Sequence, residues 1–437
     1  MPRAVAKAAI WSLALLLPLA GAVASPDIQH WKTGNGGRVY FVAAPQLPMV
    51  DVRVVFDAGS ARDGELPGLA SMTNGLLDAA AGKLDEEAIA ERLEGLGAQL
   101  GSAALRDMAM VSLRTLSAPE YLDPALEIMS AILARPGFPE RIFQRERKQM
   151  LIGLQAEQQS PSAIARKAFY RAIYGEHPYA IPGSGTEESL QAMQRSDLVR
   201  FHERYYVAAN AVVAIVGDLS RRQAEQLAER LMTGLPEGEP APPLPEVKPL
   251  ARAVERKIPF PSSQTHILVG QPGMTRTDPD YLPLYVGNHI LGGSGFGSRI
   301  MAEIREKRGL AYSAYSFFRP MRRKGPFQIG LQTRNDKADE AQRVLRETLQ
   351  GFIEQGPTAA ELEAAKKNIT GGFPLRIDSN RDILEYIAMI GFYNLPLDYL
   401  ESFNRRVEAV TLEQIRDAFR RRVDPKRMAT VTVGGGE

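Results

Sequence analysis

The chain has 437 residues, too long for one ordinary hydrophobic core and sized for about two to three domains, and 44% of it is hydrophobic, as in a soluble globular protein. Lysine and arginine total 53 against 51 aspartate and glutamate, so the net charge of +2 leaves no electrostatic footprint for nucleic acid. With no cysteine there is no disulfide framework, no thiol for a lipid and no Cys-ligated zinc.

The first residues carry Arg3 and Lys7, then an apolar run over 8–20, then Ala22-Val23-Ala24 ahead of Ser25. That is the pattern of a cleaved signal peptide over 1–24, and export of a Cys-free chain fits a bacterial periplasm. Alternation over 50–59 (VDVRVVFDAG) predicts a strand, followed by helical spacing over 66–77 and 88–96 and a strand over 108–116. A long amphipathic helix is predicted over 139–159, and a helix over 198–206 leads into an apolar strand over 211–218. Pro236, Pro240, Pro242, Pro243, Pro245 and Pro249 then punctuate a semi-rigid linker over 236–261.

Beyond the linker the same order returns. A strand is predicted over 265–273, helices over 282–291 and 299–308, strands near 311–318 and over 326–333, helices over 358–371 and 412–422, and a closing strand over 428–434. The repeat reads as a duplication of domains 25–235 and 262–437. The expected fold is α+β: two homologous halves, each a mostly antiparallel sheet with helices packed on it, arranged like a clamshell. The basic run over 319–324 reads as a solvated face.

Within the second half, helical spacing over 298–308 ends at Gly309, which suits the left-handed position after a helix. Arg305 then occupies the last turn and Tyr312 lies just beyond, so that a guanidinium and a phenol can reach one polarised carbonyl. The alternative is structural: Arg305 complements a helix dipole and Tyr312 fills a half-buried strand. The Gly-rich turn over 292–298 lacks the lysine of a phosphate loop and follows a helix rather than a strand. None of the histidines, His30, His177, His202, His266 and His289, has a second histidine at ligand spacing. His202-Glu203 reads as a surface pair, and His177 as part of a structural loop.

The paired halves, Phe56-Asp57-Ala58-Gly59-Ser60, the loop 174–179 (YGEHPY) and the stretch 304–313 (IREKRGLAYS) together resemble the pitrilysin or insulinase-type metallopeptidases, the inverzincins. The likeness spans nearly the whole chain after residue 24 and follows the short-chain branch that includes mitochondrial processing peptidase. Peptide-cleaving members carry H-x-x-E-H in the first half, two zinc-binding His flanking a Glu general base, with a further Glu downstream. Here Ser71 and Gly75 stand in the places of the His and Asn74 in that of the Glu, while Ile152 or Gly153 replaces the last carboxylate. The resemblance therefore implies no metal and no cofactor in this chain.

It also implies that Arg305 holds a substrate backbone carbonyl and Tyr312 bonds the oxyanion, with Gly293, Ser294 and Gly295 binding substrate beside them. Relatives exist as heterodimers in which one subunit bears the zinc motif and the other the Arg/Tyr pair. The expected function is thus a non-catalytic, substrate-binding subunit, inactive alone. It would act on peptides or unfolded segments beside a zinc-bearing partner of similar size; a homodimer is the other possible assembly. The alternative is a catalytically inert structural or binding scaffold of the same fold.

Overall fold

In this computed structural model residues 26–436 are described, so the expected signal peptide lies outside the described residues. No helix among them is long and apolar enough to cross a membrane. Strands are numbered in chain order: β1 (Gln29–Lys32), β2 (Arg38–Ala43), β3 (Met49–Phe56), a short ladder of β4 (Ala80–Ala81) with β5 (Leu84–Asp85), β6 (Gln99–Ala104), β7 (Ala109–Leu116) and β8 (Ala211–Gly217). The second half adds β9 (Val254–Ile258), β10 (Gln264–Pro272), β11 (Ala314–Phe318), β12 (Pro326–Arg334) and β13 (Ala429–Val433).

The first sheet has the order β1-β2-β8-β3-β7-β6 and the second β11-β12-β10-β13-β9. Read from opposite ends, β2-β8-β3-β7-β6 matches β9-β13-β10-β12-β11. In each sheet the pair at the opening strand is parallel (β2 with β8, β9 with β13) and the remaining pairs are antiparallel. The duplicated α+β architecture is therefore present in strand order and direction. β8 is buried at every position, as a central strand between two covered faces requires.

Several elements differ from the sequence reading. The linker over 236–261 ends early, because β9 within it pairs with β13. The stretch before β9 is also strapped down: Pro236 and Glu237 carbonyls accept from Ala208 and Ala209, and Leu244 and Val247 are buried. The helices expected over 282–291 and 299–308 form as Tyr281–Asn288 and Arg299–Met301, each passing into a single π turn, at His289–Gly293 and Ala302–Glu306. Their widened bonds run from Ser294 N to His289 O and from Lys307 N to Ala302 O, both 3.0 Å.

The halves also exchange corresponding helices. Pro161–Tyr174 of the first half lies on β10 and β13, while Asn380–Tyr393 of the second lies on β2, β3 and β8. Phe169 and Ile173 thus share a core with Leu268 and Val431, and Ile387 and Ile390 share one with Tyr40 and Val212. Glycine permits each close approach: a Cβ on Gly391 would meet Tyr40 and Val212 at 2.6 Å, and one on Gly270 would meet Phe169 at 2.9 Å. Each sheet is covered on one face by the other half's helix, a tie that the linker alone would not supply.

A buried polar junction closes the contact. Asp107 accepts from Tyr393 Oη at 3.0 Å, from the Arg322 backbone N–H at 2.7 Å and from Tyr179 Oη. Asp57 pairs with Arg62 and, at 3.2 Å, with Arg322, and Arg323 donates to Leu244 O at 2.7 Å. Within the basic run over 319–324, Arg319 is exposed as expected, but Arg322 and Arg323 are not on a solvated face: they insert between the halves, where buried carboxylates and carbonyls need donors. His202 is not a surface residue either. It is buried, with Nε2 2.8 Å from Leu133 O and its ring stacked on Tyr206.

Candidate functional site

Arg305 leaves the π turn at Ala302–Glu306 just before Gly309, whose φ of +59° and bond to Arg305 O end the helix as expected. Lys307 and Arg308 are both held by Glu303. Arg305 is not: its guanidinium lies between two rings, 4.4 Å from the Tyr312 centroid and 4.5 Å from that of Phe296. It makes no ion pair or side-chain hydrogen bond among the described residues. Tyr312 precedes β11 rather than belonging to it and is 82% exposed, so the half-buried strand alternative does not hold for it; Phe296 is 64% exposed.

The Gly-rich turn carries Phe296 into this stack. Gly292 and Gly293 are close-approach positions, where a Cβ would meet Ser316 Oγ at 2.4 Å and Asn288 Nδ2 at 2.8 Å respectively. Asn288 in turn donates to Ser316 O at 3.0 Å and accepts from its hydroxyl at 2.7 Å, clamping the turn to β11. Gly295 has a φ of +66° with open space around it. Gly293, Ser294 and Gly295 immediately precede Phe296, whose ring lies on Arg305. Phe296 is the member that sequence reasoning missed; an apolar residue inside a Gly/Ser turn was the available signal.

Two of the degenerate zinc positions, Ser71 and Asn74, are turned into the first half. Ser71 Oγ donates to Gly183 O at 2.7 Å, and the buried Asn74 donates to Tyr206 Oη at 3.1 Å and Met110 O at 3.4 Å. Gly75 is exposed, with nothing within 4 Å of an added Cβ, and the same holds at Gly153. The site therefore has room for side chains but not the side chains themselves: a hydroxyl, an amide and a glycine do not make a zinc ligand set. Among the described residues no group of three or more His, Cys, Asp or Glu could hold a metal.

Asp63, which the sequence reading passed over, fixes the same helix, Leu69–Gly75, by accepting from Gly68 N at 2.7 Å and Ala70 N at 2.8 Å. Burial pushes its carboxyl up to about 7. No hydrogen bond, ion pair or ring contact joins the positions 71, 74 and 75 to Arg305 or Tyr312 among the described residues. A cavity of about 1090 Å³ between the halves includes neither group.

The chain compares with known proteins over most of its length. The family description "Insulinase (Peptidase family M16)" matches residues 38–187, and "Peptidase M16 inactive domain" matches 192–369. A crystal structure of a peptidase M16 inactive domain from Pseudomonas fluorescens is 40% identical with a TM-score of 0.90, covering 93% of this chain and 97% of that one. A protease structure from Helicobacter pylori, 20% identical with a TM-score of 0.86 over 93% of this chain and 99% of that one, shows the same fold. The Helicobacter pylori protein named "Non-peptidase homolog YmxG" is 27% identical over 376 residues, 85% of each chain. One from Bacillus subtilis named "Uncharacterized zinc protease YmxG" is 24% identical over 361 residues, 80% of this chain and 85% of that one. The protein belongs to the insulinase family of peptidases, M16.

Proposed function

We propose that the chain is the non-catalytic, substrate-holding subunit of a periplasmic two-chain zinc peptidase, supplying Arg305 and Tyr312 to a site whose metal is bound by an H-x-x-E-H partner of similar length. The observation that carries this reading is the exposed stack of Phe296, Arg305 and Tyr312. A guanidinium with no acceptor among the described residues, flanked by two large exposed rings, is a surface suited to a partner and a ligand.

The chemistry follows from the groups present. Arg305 has free N–H donors for a peptide carbonyl, and Tyr312 has a phenol that can donate to the oxygen on which charge develops during hydrolysis. Neither needs a metal in this chain, and the residues at 71, 74 and 75 do not fit one. The free edge of β6 offers backbone groups to which an extended segment can add as a further strand.

The test is affinity purification of the tagged chain from its own periplasm, followed by reconstitution with any M16 protein that co-elutes. A similar-sized H-x-x-E-H protein in equal amount, with activity requiring both chains and lost in Arg305→Ala and Tyr312→Phe, is the expected result. A pair that stays fully active in both variants refutes the assigned roles. Recovery of only the chain itself or unrelated envelope proteins favours the inert scaffold.

A further inference from the structure

The cavity between the halves has a charge pattern that the reading above does not use. The exposed face of helix Asn380–Tyr393 presents Asp382, Glu385, Tyr386, Met389 and Tyr393 to it at helical spacing, while the opposite face is buried on the first sheet. Five arginines line it: Arg53, Arg106, Arg276, Arg319 and Arg376. Arg53 faces Glu385 at 4.0 Å. The other four have no carboxylate within ion-pair distance among the described residues.

Those four are held by neutral neighbours. Arg106 donates to Ile181 O at 2.9 Å and stacks on Tyr170, and Arg376 donates to Tyr285 Oη at 3.0 Å. Arg276 donates to Tyr281 Oη at 3.2 Å, and its Nε is buried without a partner. Arg319 lies 5.4 Å from the Phe317 ring centroid. Each guanidinium has five N–H donors, so single bonds to carbonyls and phenols leave most of its capacity unused.

The carboxylates at the cavity, Asp107, Asp382 and Glu385, are fewer than its arginines. Asp107 is buried and saturated by three donors, Glu385 is shared with Arg53, and Asp382 accepts from Ser379. Leu105 and Leu375, 52% and 73% exposed, add apolar surface to the same walls, and Ala103 and Ala104 bring the free edge of β6.

We propose that this cavity binds extended peptide segments in which acidic side chains alternate with apolar ones, and rejects basic segments. Carboxylates on the bound segment supply the acceptors that Arg276, Arg319 and Arg376 lack, while the leucines take its apolar side chains. The proposal rests on the reading of the chain as a substrate-holding subunit and names the class of substrate held.

The test needs no zinc partner. Fluorescence anisotropy on the chain from Ser25 onward, alone, would use a labelled peptide of alternating Glu and Leu and its Gln and Lys counterparts. The Glu peptide is expected to bind roughly tenfold or more tightly than the Gln peptide, with the Lys peptide weakest and the preference shrinking as salt rises. Arg319→Gln, an exposed position that leaves the core untouched, and Arg376→Gln are each expected to weaken the Glu peptide and leave the Gln peptide unchanged. Equal binding of Glu and Gln peptides, preference for Lys, no binding at all, or equal loss for both peptides in both variants overturns it. A zinc subunit that co-purifies while these peptides do not discriminate leaves the pairing intact and removes only the charge selectivity.

Discussion

The two halves share one topology and treat their polar groups at the family's site positions in opposite ways. In the first half Ser71 and Asn74 spend their hydrogen bonds on Gly183, Met110 and Tyr206 of the same half. In the second, Arg305 stacks on Tyr312 and Phe296, and neither Arg305 nor Tyr312 makes a side-chain hydrogen bond among the described residues. A polar group satisfied internally is part of the packing, whereas one exposed without a protein partner is open to solvent and available to a ligand. On the function proposed above, the first half serves as scaffold and the second supplies the groups that meet the substrate.

The sharpest way to break that contrast is to remove the exposed pair. In a reconstituted two-chain enzyme, Arg305→Ala and Tyr312→Phe should each lower kcat by about 10² to 10³, or about 3 to 4 kcal/mol, with an unchanged melting temperature. A fall in melting temperature matching the fall in rate would make the stack structural instead.

Next in size is the pH response of the first half's inward-facing helix. Asp63 ionises near 7 when folded against an ordinary 3.8, so its contribution to stability is complete below 3.8 and is lost as pH rises towards 7. That loss amounts to about 4 kcal/mol at most. Denaturant titrations across this window should show stability falling with pH, and Asp63→Asn should flatten the trend.

Gly391→Ala, which forces a methyl onto Tyr40 and Val212, should cost about 1 to 3 kcal/mol. Because the exchanged helices tie the halves together, calorimetry should still show one transition; two separated transitions would mean that the halves fold independently.

Asn74→Ala should destabilise by about 1 to 3 kcal/mol by leaving the buried Tyr206 hydroxyl unpaired, while activity of the reconstituted pair stays intact. The smallest effect belongs to Glu361, which Arg299 holds at about 2. Its contribution is present above 4.5 and lost as pH falls towards 2, so Glu361→Gln should soften acid unfolding slightly.

Much of this was legible in the chain. Alternation at 50–59 and 265–273 located β3 and β10 to within a few residues, and the helix expected over 412–422 forms as Leu412–Arg422, because apolar spacing reports the face that a core will cover. The edge strand β6 was missed: Gln-Leu-Gly-Ser-Ala-Ala is mostly exposed and has little apolar pattern to read. Phe296 was passed over because its glycine and serine neighbours announce a turn, not a ring placed on an arginine.

By itself the sequence determined which side chains exist: a repeat of elements, an Arg and a Tyr seven positions apart, and a helix with no zinc ligands at 71, 74 and 75. Only the tertiary structure decided that 161–174 and 380–393 cross to the opposite sheets, that Arg322 and Arg323 enter a buried junction, and that five arginines meet around one cavity. Periodicity is local and says which face of an element is buried, but not which partner buries it. The fate of a charge depends on acceptors brought near it from hundreds of positions away.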